Sequence, residues 1–163
     1  MVGKEPPRGY SSPACSLHEL QNGYRTYLSV TELVALLQEL LEGEIAGARV
    51  CLQSAREEAA EPYASVLRQI HRDEARWCDM LARQIQRLDI TPSSAAGAFW
   101  QKAMTIENLR ERMALLNRGQ GWVVRKLREA LPYVGDESLK SDLTEMLQAH
   151  EVNIAKVTAL GVD

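Results

Sequence analysis

The chain has 163 residues, of which 45% are hydrophobic and 25% are charged, and its formal net charge is −3. This length suits one globular domain with a sizeable core, and the absence of a basic block argues against a nucleic-acid partner. No apolar run approaches the roughly 18 residues of a membrane span, and the N-terminus lacks the apolar core of a secretory signal. We therefore expect a cytoplasmic protein with no membrane partner.

Residues 1–28 contain three of the six prolines and show no sustained hydrophobic period. We interpret them as a flexible N-terminal arm in front of a folded domain that covers residues 29–163. The three cysteines form no CxxC pair, which argues against a disulfide framework or a structural zinc site.

The first two predicted helices are joined by a short link. The first begins near Ser29, where Glu32 completes a capping box, and ends near Ala59. The second starts at Pro62 and ends near Leu88. In both, apolar residues recur at spacings of three and four, which predicts one buried stripe per helix. These stripes are Leu33, Leu37, Leu40, Ala48, Cys51 and Ala55, then Tyr63, Val66, Ile70, Trp77, Leu81, Ile85 and Leu88.

The second pair of predicted helices follows a connection from Asp89 to about Met104, in which we predict no helix. The third helix runs from near Thr105 until Pro132 stops it, and Asp136 caps the fourth. Short links predict two antiparallel hairpins, and the long connection can span the length of a helix. The expected fold is all-α, with four helices and one long crossover.

Each apolar stripe is interrupted once, near the middle of its helix, by a polar residue. The interrupting residues are Glu44, Glu74, Gln120 and His150, and Asn153 follows His150 on the same face. In each hairpin the two interrupting residues are equidistant from the turn. We therefore predict that all of them lie in one polar layer at mid-height.

An internal repeat with an offset of 76 residues supports this layer. It aligns "GEIAGAR" (43–49) with "GQGWVVR" (119–125), and it carries Glu44 to Gln120 and Glu74 to His150. A glycine inside a helix costs about 1 kcal/mol relative to alanine. The glycines around the layer, Gly43, Gly47, Gly119 and Gly121, are therefore expected to make room for a facing helix or a ligand.

On these residues the chain resembles the ferritin-like superfamily, whose four-helix bundles hold two metal ions at mid-height. That family carries one Glu on helices 1 and 3 and Glu-x-x-His on helices 2 and 4. Glu44 and Glu74 match the pattern, and the segments "LLNRGQGWVV" and "HEVNI" are similar to those of small uncharacterised bacterial ferritin-like proteins. The resemblance covers residues from about 30 to 160. It implies the bundle fold, and a homodimer formed through helices 1 and 2.

The sequence departs from the family pattern at four ligand positions. Trp77 stands at the helix 2 His position, and Gln120 replaces the helix 3 Glu. His150 occupies the helix 4 Glu position, and Asn153 its His position. Two of the four carboxylates remain, so we do not expect a dinuclear oxidase or ferroxidase site.

Three interpretations of the polar layer stay open. The first is a degenerate site for one Fe, Mn or Zn ion, with metal ligands drawn from Glu44, Glu74, His150 and His71. The second is a metal-free structural or interaction protein, in which a buried hydrogen-bonded network fixes helix register. The third is a small ligand bound between the helices. The candidate cofactor-binding residues are Gln120, Asn153, Trp77 and Trp122, although either Trp could simply pack in the core. No nucleophile–base pair or phosphate-cradling loop is present, so we assign no enzyme class.

Overall fold

A computed structural model describes residues 27–57 and 60–162, and this part of the chain is all-helical. The all-α prediction is therefore confirmed. Five α-helices follow one another, with a short 3-10 turn (Leu131–Tyr133) between the last two: α1 (Val30–Glu57), α2 (Tyr63–Gln86), α3 (Gly97–Met104), α4 (Leu109–Ala130) and α5 (Glu137–Ala159). Within the described ranges, no helix is long and apolar enough to cross a membrane.

The predicted caps of the first and last helices are present. The backbone N–H of Ser29 donates to Glu32 Oε2 at 2.9 Å, and the N–H of Glu32 donates to Ser29 Oγ at 3.3 Å, which is a reciprocal capping box. At the start of α5, Asp136 Oδ1 accepts the N–H of Leu139 at 2.7 Å. Both caps satisfy backbone donors that the first helical turn leaves free.

The connection between the two helix pairs is where the prediction was wrong. It contains α3, and α4 begins at Leu109 rather than near Thr105, because the side chain of Asn108 caps it by accepting the N–H of Glu111 at 3.1 Å. α3 has eight residues, too few to show a clear hydrophobic period. It buries only Ala103 and packs against α1 and α4.

The helices pack in a closed set of neighbouring pairs. α1 contacts α2 and α4, and α5 contacts α4 and α2. The α1 and α4 helices run antiparallel, because Glu39 binds Lys126 near one end while Glu57 binds Arg112 near the other. This packing places the middle of each long helix around one central region.

The hydrophobic core consists of two clusters that lie on either side of the predicted polar layer. The first cluster includes Leu37, Leu40, Trp77, Leu81, Leu127 and Leu143, and the second includes Val50, Cys51, Leu67, Ile70, Met113, Leu116 and Val157. Each cluster takes residues from α1, α2, α4 and α5. The helices are therefore held together above and below the layer independently.

The predicted N-terminal arm lies mostly outside the described residues, which begin at Tyr27. The N–H of Leu28 donates to the carbonyl oxygen of Tyr133 at 2.8 Å, and its side chain packs against the first hydrophobic cluster. The chain is thus anchored to the turn before α5 from Leu28 onward.

Candidate functional site

The five polar residues that interrupt the apolar stripes are all buried. Their exposed fractions are 1% for Glu44, 3% for Glu74, 3% for Gln120, 1% for His150 and 1% for Asn153. Charged side chains are almost never buried to this degree unless they are paired. These five residues, called the polar layer below, therefore need partners that can be named.

Glu44 and His150 form a direct buried pair. His150 Nε2 lies 3.1 Å from Glu44 Oε1, and Nδ1 lies 2.9 Å from the carbonyl oxygen of Met146. Burial alone would lower the pKa of His150, but the Glu44 carboxylate and these hydrogen bonds raise it above its usual value. Nδ1 donates to the Met146 carbonyl oxygen, and the raised pKa favours a proton on Nε2, directed at Glu44.

Glu74 has a different environment, in which the described part of the chain supplies an amide rather than a basic side chain. Gln120 Nε2 donates to Glu74 Oε1 at 3.5 Å, a long hydrogen bond. Burial raises the pKa of Glu74 well above its usual value, and the charges of Glu44 and Asp73 raise it further, while a hydrogen bond from the Cys51 thiol opposes them. Glu74 therefore retains its proton well above the pH at which an exposed Glu ionises.

Gly47 supplies the space that the Glu74 carboxyl group occupies. A Cβ atom built on Gly47 would lie 2.5 Å from Glu74 Oε1 and 2.7 Å from Oε2. Gly43 and Gly119 have similar roles, since a Cβ there would lie 3.3 Å from the Trp122 ring and 3.0 Å from the Phe99 ring. These three glycines do make room for neighbouring side chains.

Gly121 does not share this role. A Cβ on Gly121 would meet only the Arg125 side chain, at 3.6 Å, which is an ordinary contact. The expectation that Gly121 opens space in the layer is therefore wrong. It is one residue past Gln120, and its helical direction turns it away from the interior.

The side-chain nitrogen of Asn153 is bonded to a residue that lies off the apolar stripes. Asn153 Nδ2 donates to Asp73 Oδ2 at 3.0 Å, and Asp73 is half-buried between α2 and α5. Asp73 lies next to Glu74 in the sequence and off the apolar stripe. Hydrophobic spacing therefore carried no signal for it.

Four oxygen atoms of the polar layer receive no hydrogen bond from the described part of the chain. They are Glu44 Oε2, Glu74 Oε2, Gln120 Oε1 and Asn153 Oδ1. Buried polar atoms in proteins nearly always have a partner in the protein, in ordered water or in a ligand. These oxygens therefore indicate that the layer interacts with something besides its own side chains.

A cavity of about 420 Å³ reaches from the polar layer to the surface between α1, α3 and α4. Its base is formed by Glu44, Glu74, Gln120 and His150. Its walls are largely apolar and consist of Ala46, Phe99, Leu115, Leu116, Trp122 and Val123. The side chains of Glu39, Glu42 and Arg118 lie at its mouth. Phe99 and the rest of α3 were missed because no periodic pattern marks this short helix.

The other predicted site residues are not at this base. His71 is half-buried, and its Nδ1 lies 3.1 Å from the carbonyl oxygen of Ala48. Trp77 belongs to the first hydrophobic cluster, and neither it nor Asn153 lines the cavity. Trp122 does line it, with Lys126 Nζ 5.5 Å from the centre of its ring.

The polar layer has the donor types for a divalent cation but is not arranged as a formed metal centre. Two carboxylates and an imidazole suit Fe, Mn or Zn. However, no group of three His, Cys, Asp or Glu side chains within residues 27–57 and 60–162 is placed to hold a metal ion. Both ring nitrogens of His150 are also engaged, by Glu44 and Met146.

Comparison with known proteins identifies the family but no activity. Residues 31–159 match the family described as a domain of unknown function, DUF6306. The match covers more than half of the chain, and the protein belongs to this family. Neither a curated protein nor a solved structure matches the chain significantly.

Proposed function

We propose that the protein binds a small organic molecule in the cavity between α1, α3 and α4. The observation that carries this proposal is the position of the cavity. Its base is made of buried polar side chains. Three of them, Glu44, Glu74 and Gln120, have an oxygen that accepts no hydrogen bond from any described protein group. A ligand that fills the cavity would satisfy these oxygens and would cover the apolar walls.

The size and lining of the cavity support this function. Its volume of about 420 Å³ lies within the range of roughly 300–1,000 Å³ that is usual for small-molecule sites. At about 30 Å³ per water molecule, it has room for roughly 14 waters or a ligand with a similar number of non-hydrogen atoms. Mostly apolar walls with a few convergent polar groups are typical of such sites.

The outer wall offers a route for entry. α3 contributes Ala98 and Phe99 to the lining and Ala103 as its single buried residue. Gly97 starts this helix with a φ of +56°, a conformation that side-chain-bearing residues rarely adopt. Among the helices that line the cavity, α3 has the fewest fully buried residues, so we propose that it moves as a ligand enters while the four long helices remain packed.

We further propose that the fold is a ferritin-like four-helix bundle in which α3 is an addition to the crossover. The pairing of α1 with α2 and of α4 with α5, together with the 76-residue repeat, supports this arrangement. On this view the ligand cavity occupies the level at which that superfamily holds its metals.

The proposal is tested with toluene as an apolar probe, by saturation-transfer NMR. We expect saturable binding that weakens about tenfold or more in Ala46→Met. Ala46 is fully buried and lines the cavity, so the longer Met side chain would fill part of the cavity. Ala35→Met is the matched control, since Ala35 lies on the exposed face of the same helix. Equal binding by the wild type and Ala46→Met would overturn the proposal.

A second candidate function is the binding of one Fe, Mn or Zn ion by Glu44, Glu74 and His150. The specific observation in its favour is the Nδ1 hydrogen bond of His150 to a backbone carbonyl, which is a common way of orienting a metal-binding imidazole. Elemental mass spectrometry of protein purified without an affinity tag tests it. A near-stoichiometric metal content that Glu74→Gln abolishes and Glu39→Gln retains would support it. Less than about a tenth of an equivalent after anaerobic loading would exclude it.

A further inference from the structure

The free polar atoms at the cavity base are all hydrogen-bond acceptors if the carboxyl groups are ionised. They are Glu44 Oε2, Glu74 Oε2 and Gln120 Oε1. The donors at the base are already engaged, because the Gln120 amide nitrogen contacts Glu74 and the His150 ring contacts Glu44 and Met146. A ligand group that only accepts hydrogen bonds would find no free partner there. An ammonium group, which has three N–H donors and no acceptor, is the complementary head group.

The charge of the base leads to the same ligand class. Glu44 is paired with His150, whereas within residues 27–57 and 60–162 no basic side chain is hydrogen-bonded to Glu74. Arg118 lines the mouth of the cavity and is exposed, and Lys126, beside Trp122, is paired with Glu39. One positive charge can therefore be added at the base, and a negative charge would face two carboxyl groups.

The rest of the ligand is constrained by the walls. Trp122 and Phe99 present aromatic rings, and the remaining wall residues are aliphatic. The faces of aromatic rings attract cations as well as apolar groups. A compact hydrocarbon or aromatic body attached to the charged head would therefore cover the walls.

We infer that the cavity takes a small organic amine, with its ammonium group at Glu74, Glu44 and Gln120 and its apolar body against Trp122 and Phe99. This inference rests on the proposed binding function and specifies the class of ligand. The ammonium group would donate its N–H hydrogens to the free oxygens of these three side chains.

Calorimetric titration with four probes that share a benzyl group tests the inference. The probes are 2-phenylethylamine, 2-phenylethanol, phenylacetate and toluene, which present an ammonium, a hydroxyl, a carboxylate and no polar head. We expect the amine to bind at least about tenfold tighter than the alcohol, and phenylacetate to bind weakest.

Two variants that each remove one negative charge test whether the preference for the amine comes from the base of the cavity. Glu74→Gln should bring the affinities for amine and alcohol to within about twofold of each other. Glu39→Gln removes a carboxylate from the mouth on α1, where it is paired with Lys126, and should retain the preference for the amine. If Glu74→Gln does not fold, the order of the four affinities for the wild-type protein decides the matter alone.

The outcomes separate the two proposals. If toluene or the alcohol binds as tightly as the amine, the inference is overturned while cavity binding stands. If none of the four probes binds, toluene included, the proposed function fails and the inference fails with it.

Discussion

Glu44 and His150 are 106 residues apart in the chain, and their side chains meet at 3.1 Å across the centre of the structure. Glu44 lies on α1 and His150 on α5, and within the described residues the backbones of these two helices do not come close to each other. The pair therefore joins two helices that are not neighbours in the backbone packing. It spans the diagonal of the helical arrangement.

Removing one member of this pair should be costly. In His150→Ala the Glu44 carboxylate stays buried without its countercharge, and we expect the free energy of unfolding to fall by about 3–5 kcal/mol. Urea denaturation at pH 7 measures this. The double variant Glu44→Met, His150→Leu replaces the pair with apolar side chains and should recover most of the loss. A single variant no less stable than the double variant would contradict this account.

The stability of the protein should fall as pH rises through the neutral range. The pKa values of Glu74 and His150 are both raised on folding, so the folded state binds more protons than the unfolded state. The contribution of Glu74 is complete below its unfolded pKa of about 4.3, and that of His150 below about 6.5; each is lost as pH rises toward the folded value. Urea midpoints between pH 5 and 8 at constant ionic strength should decrease. Glu74→Gln should show a flatter profile, and an equal slope in both proteins would count against the assignment.

Two glycine substitutions on different helices should have opposite effects. Gly47→Ala would place a Cβ atom 2.5 Å from the Glu74 carboxyl group, so this buried group must shift at the cavity base and lose its hydrogen bond from Gln120, at a cost of about 1–3 kcal/mol. Gly121→Ala meets only Arg125 at 3.6 Å and should gain up to about 1 kcal/mol from helix propensity. Thermal unfolding of both variants distinguishes the sites. Equal destabilisation would mean that the space around Glu74 has no special role.

A buried arginine joins the start of α4 to the end of α1. Arg112 is 5% exposed and donates to the carbonyl oxygen of Ile106 at 2.9 Å, to Ser54 Oγ at 3.2 Å and to Glu57 Oε2 at 2.9 Å. Arg112→Met should lower the free energy of unfolding by about 2 kcal/mol, because these acceptors lose a charged donor.

Arg112→Lys should not restore that stability, since an ammonium group cannot reach separate acceptors as a planar guanidinium does. Arg128→Met is the control for an exposed ion pair, here with Glu151, and should change stability by less than about 1 kcal/mol. If Arg112→Lys were as stable as the wild type, the fixed geometry of the guanidinium would be unimportant.

The polar layer could be predicted because it interrupts a regular pattern. Glu44, Glu74, Gln120 and His150 each replace an apolar residue in a helical stripe, and the shared offset of 76 residues placed them at one level. The helix caps at Ser29 and Asp136 could also be predicted from the sequence, since a capping side chain binds the backbone only two or three residues away.

The cavity could not be predicted, because its outer wall comes from a segment without periodicity. The contact of Phe99 with Gly119 and that of Asp73 with Asn153 join elements whose relative rotation is decided by packing, and no local pattern encodes such contacts. For the same reason, the spacing of Gly121 did not reveal that it faces away from the interior. Which side chain fills a given space is a property of the assembled helices.

The division of the core into two hydrophobic clusters has a consequence for how the sequence can change over evolutionary time. Substitutions that repack the cluster around Trp77 need compensation only within that cluster, and those around Met113 only within the other. The polar layer between them acts as a boundary at which an altered side-chain volume is not passed on. The two ends of this protein can therefore diverge at different rates, except at Val123, Leu115 and Leu116, which belong to the clusters and also form walls of the cavity.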